Sequence, residues 1–325
     1  MRIEPKGTVD EIVTAMRRQV GEVLGRSGAV VAISGGVDSA VCAALAARAF
    51  GPARVLGLAL PEEESDPESL ALARELAATL GIELMVEEIT PILDGAGCYV
   101  RRDDAIRRLT EFGAGWQCKL IVDAGAPGAA HLPLGVLVVR SPAGEERKVR
   151  LPPREYREIV AATNMKQRVR TMLCYHHADR LRYAVIGTPN RLEYALGFFV
   201  KGGDGLADLK PIAHLYKGEV HQLAEYLGVP LGIRSRVPTT DTYSLPQTQE
   251  EFYFGLPLPL LDRTLAARDE GISAEVTAAE LGLSVEEVER VFLELERKER
   301  AARYLHLGAL LATDHPATAA LAEIS

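Results

Sequence analysis

Residues 30–50, VVAISGGVDSAVCAALAARAF, decide how the chain is read. An apolar run ends at Ile33, the turn Ser34-Gly35-Gly36 follows, and an Ala-rich segment opens just after Asp38 and Ser39. A short continuous apolar run bounded by turn residues has the length of a buried strand, and the small residues beyond it read as a closely packed helix. Two glycines at such a junction let the backbone approach something closely. Phosphate fits the chemistry: the Ser34 and Ser39 hydroxyls can donate, and the helix N-terminus favours an anion. The spacing is neither G-x-x-x-x-G-K-[ST] nor G-x-G-x-x-G. Asp38 would repel a phosphate unless a cation lay between them, so a carboxylate here points to Mg²⁺ bridging to phosphate oxygens. The same residues also fit a plain strand-to-helix turn capped by a serine.

Working outward, Val9, Ile12, Val13, Met16, Val20, Val23 and Leu24 recur at helical spacing and predict a helix over 8–26 before the strand Ala29–Ile33. Beyond the turn, a helix is expected from about Ser39 to Phe50, strands at 53–60 and 82–89, and a helix at 67–80. Strands alternating with helices imply an α/β fold with a doubly wound, mostly parallel sheet. Residues 111–155 break the pattern. They are rich in Gly and Pro, and SPAGEE (141–146) reads as a hairpin, so an insertion with a short antiparallel pair is expected. The helical period resumes at 164–182, YAVIGT (183–188) reads as another buried strand, and 217–228 as a helix. An irregular stretch over 234–257 leads into a helical tail. The expected organisation is a nucleotide-binding unit over 1–257 and a helical extension over 258–325.

Composition excludes several classes. The 325 residues carry a formal net charge of -8, so no electrostatic footprint for nucleic acid shows at the whole-chain level. The four cysteines are scattered without a C-x-x-C pair, which fits a reducing compartment. The N-terminal residues lack a signal core, and no apolar run has the roughly 18 residues of a membrane span, so a cytoplasmic protein is expected. AAELGLS (278–284) has the turn spacing of a helix-turn-helix, but VEEVERVFLELERKE (285–299) is acidic and would repel DNA phosphate. His176 and His177 fall mid-helix and receive no role.

SGGVDS (34–39) resembles the pyrophosphate loop of the N-type ATP pyrophosphatases, which adenylate a carboxylate or carbonyl and release pyrophosphate. NMKQRVR (164–170), GTPNRLEYALGFFVKGGDGLADLKPIAHLYK (187–217) and PTTDTYSLPQTQEE (238–251) come in the order and spacing of the ammonia-dependent NAD synthetases. The resemblance implies a Rossmann-like sheet of the adenine-nucleotide alpha-hydrolase type. It implies ATP as co-substrate, with Ser34, Gly35, Gly36, Asp38 and Ser39 around the phosphates and Asp38 and Glu193 holding Mg²⁺. Thr188, Lys217 and Thr239 would contact phosphates, and Arg168 and Arg170 would help bind the two nucleotides. Lys201, Asp204 and Asp208 would lie around the acyl substrate, deamido-NAD, and the ammonia path. Asp38, Lys217 and Asp208 would be the catalytic residues, and the assembly would be a homodimer.

The residues agree with parts of this independently. Glu193 lies five positions beyond the strand 183–188, at the same expected sheet edge as Asp38. Lys217 near a helix start opposes the helix dipole, a conflict that a nearby bound anion would offset. KGGDGLAD (201–208) can present Asp204 or Asp208 to an incoming ammonium ion as a proton acceptor, or form a polar surface turn. The first strand begins at residue 29, so an amidase domain ahead of it is not expected, and nitrogen would come from free ammonia or a separate glutaminase partner. The chain departs from the family pattern at Gly202, Leu206, Gln249 and RYLHL (303–307). These departures lie on the acyl side, which leaves open amidation of a different carboxylate, such as a sugar acid or a biosynthetic intermediate.

Overall fold

Strand β1 (Ala29–Ala32) lies inside a parallel sheet in the computed structural model, which describes residues 3–123, 134–240 and 242–310. β2 (Val55–Ala59) and β3 (Glu83–Val86) follow on one side, and β7 (Ala184–Ile186) pairs with β1 on the other. Val31 stands opposite Gly57 and Ile186, so the carboxyl ends of three strands finish side by side. Strand order reverses at β1, and the crevice beyond such a reversal is where doubly wound sheets bind ligands.

Alternation along β1 divides the core. Val31 packs with α1 (Pro5–Arg18), α2 (Val37–Phe50) and α8 (Lys217–Tyr226) on one face. Val30 packs with Leu56, Leu58 and Val185 against α5 (Cys98–Arg107) and α6 (Pro153–Leu181) on the other. α2 is buried over most of its length, which its alanines permit by keeping it close to the sheet. α3 (Pro67–Leu80) falls where the sequence predicts it. α1 continues into a π-helical turn at Gln19–Val23. α4 (Thr90–Gly95) and α5 occupy a segment that the spacing left unassigned. α6 begins at Pro153, well ahead of the expected 164; Glu155 and Thr163 on the buried face of these early turns interrupt the apolar period there.

Among the described residues of the inserted stretch, β4 (Gln117–Asp123), β5 (Leu134–Arg140) and β6 (Glu146–Arg150) form an antiparallel sheet of three strands where a pair was expected. The β5–β6 hairpin turns at SPAGEE, with Ser141 N donating to Glu145 O at 2.9 Å. Cys118, Leu120, Leu137 and Val139 pack this sheet onto Ala105, Ile106 and Ile159 of α5 and α6.

α7 (Arg191–Leu196), which was not among the expected elements, shares one core with the tail helices α10 (Leu258–Asp269) and α12 (Val285–His306), and α11 (Ala274–Leu281) packs against α12. α9 (Leu231–Ser235) lies between α8 and the irregular stretch. The turn at Gly282 has the helix-turn-helix form, yet α12 buries Val291 and Leu295 against Leu192 and Leu196 of α7. α12 thus supports the helix that carries Glu193. Among the described residues no helix is long and apolar enough to cross a membrane, and the four cysteines are free and buried.

Candidate functional site at the carboxyl end of β1

Gly35 takes a left-handed φ of 76°, and a Cβ there would lie 3.0 Å from both Ser69 Cα and Arg236 Nη1. Glycine therefore lets the loop fit beneath α3 and Arg236. Ser39 Oγ donates to Gly36 O at 3.0 Å and sits 3.2 Å from Ser34 Oγ, tying the turn to the first turn of α2. Gly36, the N-cap of α2, brings no side chain to that helix end.

Asp38 stands in this first turn and forms an ion pair with Lys217 Nζ. Its other oxygen accepts from Asn190 Nδ2 at 3.1 Å. Asn190 also caps α7: its Oδ1 accepts from Glu193 N at 3.1 Å, while Asn190 N donates to Glu193 Oε2 at 3.2 Å. Glu193 Oε1 accepts from Gln249 Nε2 at 3.2 Å. Burial and the neighbouring Asp38 charge push the Glu193 carboxyl up to about 7, against a smaller pull from Lys217.

Lys217 opens α8 and is itself buried. Burial alone would push its ammonium down, but Asp38 and Glu193 outweigh it and hold the group above the ordinary lysine value. The conflict with the helix dipole is resolved by the chain itself. Asp262 of α10 accepts from Lys217 N and Gly218 N, both at 2.9 Å, so a buried carboxylate caps α8 while Asp38 takes the ammonium. No bound anion is required for that.

The turn residues, Asp38, Glu193 and Lys217 are thus brought together. Thr188 is half-buried directly after Gly187 at the exit of β7. Thr239 is exposed, bridging to Thr248. The residues expected around the nucleotides and the acyl substrate bond largely to backbone groups. Arg168 donates to Lys201 O at 3.3 Å, and Arg170 Nε donates to Leu60 O at 3.1 Å. Lys201 Nζ turns to the end of α12, donating to Tyr304 O at 2.8 Å and Leu307 O at 2.6 Å. Asp204 accepts from Val200 N at 2.7 Å and closes its own turn. Asp208 accepts from Val185 N at 2.8 Å and from the Tyr175 hydroxyl at 3.2 Å, completing the edge of β7.

Several residues escaped the sequence reading. Asn190 announces itself as the first position of an Asn-x-x-Glu capping box, a signal available at residues 190–193. Gln249, noted above only as a departure from the family pattern, proves to be a hydrogen-bond partner of Glu193. Asp262 and Arg236 have no local signal. Nor does the buried cluster in which Lys166 Nζ donates to Glu62 at 2.9 Å, Glu64 at 2.6 Å and Thr242 O at 2.9 Å. Arg102 pairs with both oxygens of the same Glu64 at 2.7 Å.

Asp38 and Glu193, linked through Asn190, supply hard oxygen atoms that could hold a divalent cation where substrate phosphates provide further ligands. Each oxygen of Glu193 accepts one protein hydrogen bond and keeps a lone pair free for such an ion.

A family model described as NAD synthase matches residues 8–106 and 147–303, passing over most of the inserted stretch. The chain is 53% identical over 312 residues to a protein of Rhizobium rhizogenes named NH(3)-dependent NAD(+) synthetase, covering 96% of this chain and 94% of that one. Two solved structures share the fold, each with a TM-score of 0.61, covering 96% of this chain and 100% of their own. They are an NMN synthetase from Francisella tularensis, 21% identical, and an NH3-dependent NAD synthetase from Campylobacter jejuni, 20% identical.

Proposed function

Because the chain belongs to the NAD synthase family, we propose that it is an ammonia-dependent ligase converting deamido-NAD, ATP and ammonia to NAD, AMP and pyrophosphate. The observation that carries the reading is the convergence of Asp38, Lys217 and Glu193 on the glycine turn at the strand-order reversal. The name of the Rhizobium relative supports the substrate. The fold alone does not choose it, since the structures of an NMN synthetase and of an NAD synthetase match equally well.

In this reading the turn Ser34–Ser39 receives the ATP phosphates, and Gly35 and Gly36 let the backbone close on them. Asp38 and Glu193 are the residues that would hold Mg²⁺; the ion, when bound, would neutralise charge on the triphosphate. The substrate carboxylate attacks the α-phosphorus and pyrophosphate leaves, with the Lys217 ammonium placed to meet the developing negative charge. Ammonia then attacks the acyl carbon of the adenylate, AMP leaves with the bonding electron pair, and the surplus proton passes to a base. Asp208 and Asp204 remain the candidates for that base, each keeping lone pairs beyond those used by the hydrogen bonds it accepts. Thr188, Thr239, Arg168, Arg170 and Lys201 belong to the same reading as nucleotide and acyl contacts, within a homodimer supplied with free ammonia or by a glutaminase partner.

The test is pyrophosphate release from ATP, Mg²⁺ and ammonium, with and without deamido-NAD, while NAD is followed alongside. NAD and pyrophosphate in equal amounts are expected. Silence with deamido-NAD, from a folded protein that turns over nicotinate mononucleotide or another carboxylate, would overturn the substrate and keep the ligase chemistry.

A further inference from the structure

Strand β4 lies at the edge of the inserted sheet, with β5 on one side only. An edge exposes a row of donors and acceptors that must be met by something. Here the partner is a distant part of the same chain. Cys118 N donates to Ser244 Oγ at 2.9 Å, Gln117 Nε2 donates to Ser244 O at 3.0 Å, and Leu245 N donates to Cys118 O at 3.1 Å. Gln247, itself buried, donates through Nε2 to Leu120 O. Lys119 Nζ reaches Pro246 O and Glu251, each at 3.2 Å.

The other side of this segment is fastened as well. Thr242 O accepts from the buried Lys166 Nζ at 2.9 Å, and Tyr243 packs among Cys118, Leu120 and Ile159. Two residues beyond Gln247, Gln249 donates to Glu193 at 3.2 Å. A continuous set of bonds therefore runs from the inserted sheet to a carboxylate of the candidate site.

We propose that β4, chiefly through Gln247, braces residues 242–251, and that Gln249 is a positioning residue that fixes the orientation of Glu193. With Gln249 on one oxygen and Asn190 N on the other, the carboxylate has a fixed plane and keeps its remaining lone pairs for a cation. The second half of this proposal rests on the reading of Glu193 as a residue facing Mg²⁺.

The experiment uses Gln247→Met, which keeps the side-chain volume and removes the donor, and Gln249→Ala. Amide hydrogen exchange across 242–251 is measured on the ligand-free protein, and the Mg²⁺ concentration for half-maximal pyrophosphate release is measured separately. Slow exchange at Leu245 and Gln249 is expected in the unaltered chain. Gln247→Met removes the bond to Leu120 O and the one that Oε1 accepts from Thr240 Oγ1 at 3.3 Å, and should speed exchange about tenfold or somewhat more, the scale of one to two lost hydrogen bonds, with β1 and α2 unchanged as the control for folding. Both variants should raise the half-saturating Mg²⁺ by a similar factor, with the KM for deamido-NAD unmoved. Fast exchange in the unaltered chain, or exchange that Gln247→Met leaves alone, overturns the bracing role of β4. An unmoved Mg²⁺ requirement in Gln249→Ala overturns its positioning role. Pyrophosphate release that needs no divalent cation in the unaltered protein would remove the metal reading itself, and the exchange arm would still decide the brace.

Discussion

The glycine-turn end of the site and the 242–251 end are built by opposite means. At the turn, a strand, two glycines, two serines and an aspartate follow one another within residues 29–39, and the hydrogen bonds that shape the loop span at most five positions. At the other end, Gln117 and Ser244 meet across 127 residues, and Lys166 meets Thr242 across 76. The first arrangement can form as soon as the β1–α2 unit folds. The second exists only after α6, the inserted sheet and the segment before α10 have docked. The difference teaches where function should be brittle: a local change at the turn removes a reacting-site group directly, whereas a change at the far end acts through the alignment of others.

The largest effect should therefore come from Asp38→Asn. The substitution preserves shape but removes the charge that faces Lys217. Pyrophosphate release should fall by about three orders of magnitude, the upper range for removing one electrostatic partner of a developing charge. Circular dichroism should stay native, since the turn is held by Ser34, Ser39 and Gly36 and not by this carboxylate. Near-normal turnover would break the contrast, because the local motif would then be architecture without chemistry.

This contrast also explains what the sequence made legible. The strand-turn-helix at 29–50, the alternation that follows and the placement of Glu193 beyond a buried strand all depend on neighbours in sequence, and they are where the reading placed them. Lys217 was visible as an oddity at a helix start, but the carboxylate that resolves it was not. Asp262 sits inside α10 among leucines, and only the docking of α10 on α8 turns it into a cap. The start of α6 escaped because Glu155 and Thr163 occupy the buried face of its first turns, where an apolar period would otherwise show. Lys201 and Asp208 have the residue types of a polar site, yet their backbone bonds to α12 and β7 depend on elements that local spacing does not reveal.

An intermediate effect should follow from Asp262→Ala, which tests how far a residue remote in sequence can act on the local end. Loss of the cap leaves the Lys217 and Gly218 N–H groups without their acceptor and should lower stability in urea unfolding by about 1–2 kcal/mol. Pyrophosphate release should fall roughly tenfold, as the first turn of α8 loosens around the lysine. Asp262→Asn, which keeps an oxygen acceptor, should recover part of both. A stability loss with unchanged turnover would confine Asp262 to the fold and sharpen the separation between the two ends.

The smallest effect separates the two ends by the sign of their response to pH. Burial raises the Glu64 carboxyl, but Lys166 and Arg102 outweigh it and leave the group below its ordinary 4.5, so this pairing stabilises above that value and is lost on acidification. Glu193 behaves oppositely. Its carboxyl stands at about 7 in the folded chain against 4.5 when unfolded, so between those values the folded state binds the extra proton. Stability from this group is present below about pH 4.5 and is lost as pH rises through 7. The melting temperature of the ligand-free protein should accordingly fall by a few degrees from pH 5 to pH 8, and Glu193→Gln, which cannot titrate, should flatten that slope. Mg²⁺ with ATP should flatten it too, by supplying the positive charge that the two carboxylates share. If Glu193→Gln leaves the slope unchanged, the burial of that carboxylate beside Asp38 is not what sets the pH response at the glycine-turn end.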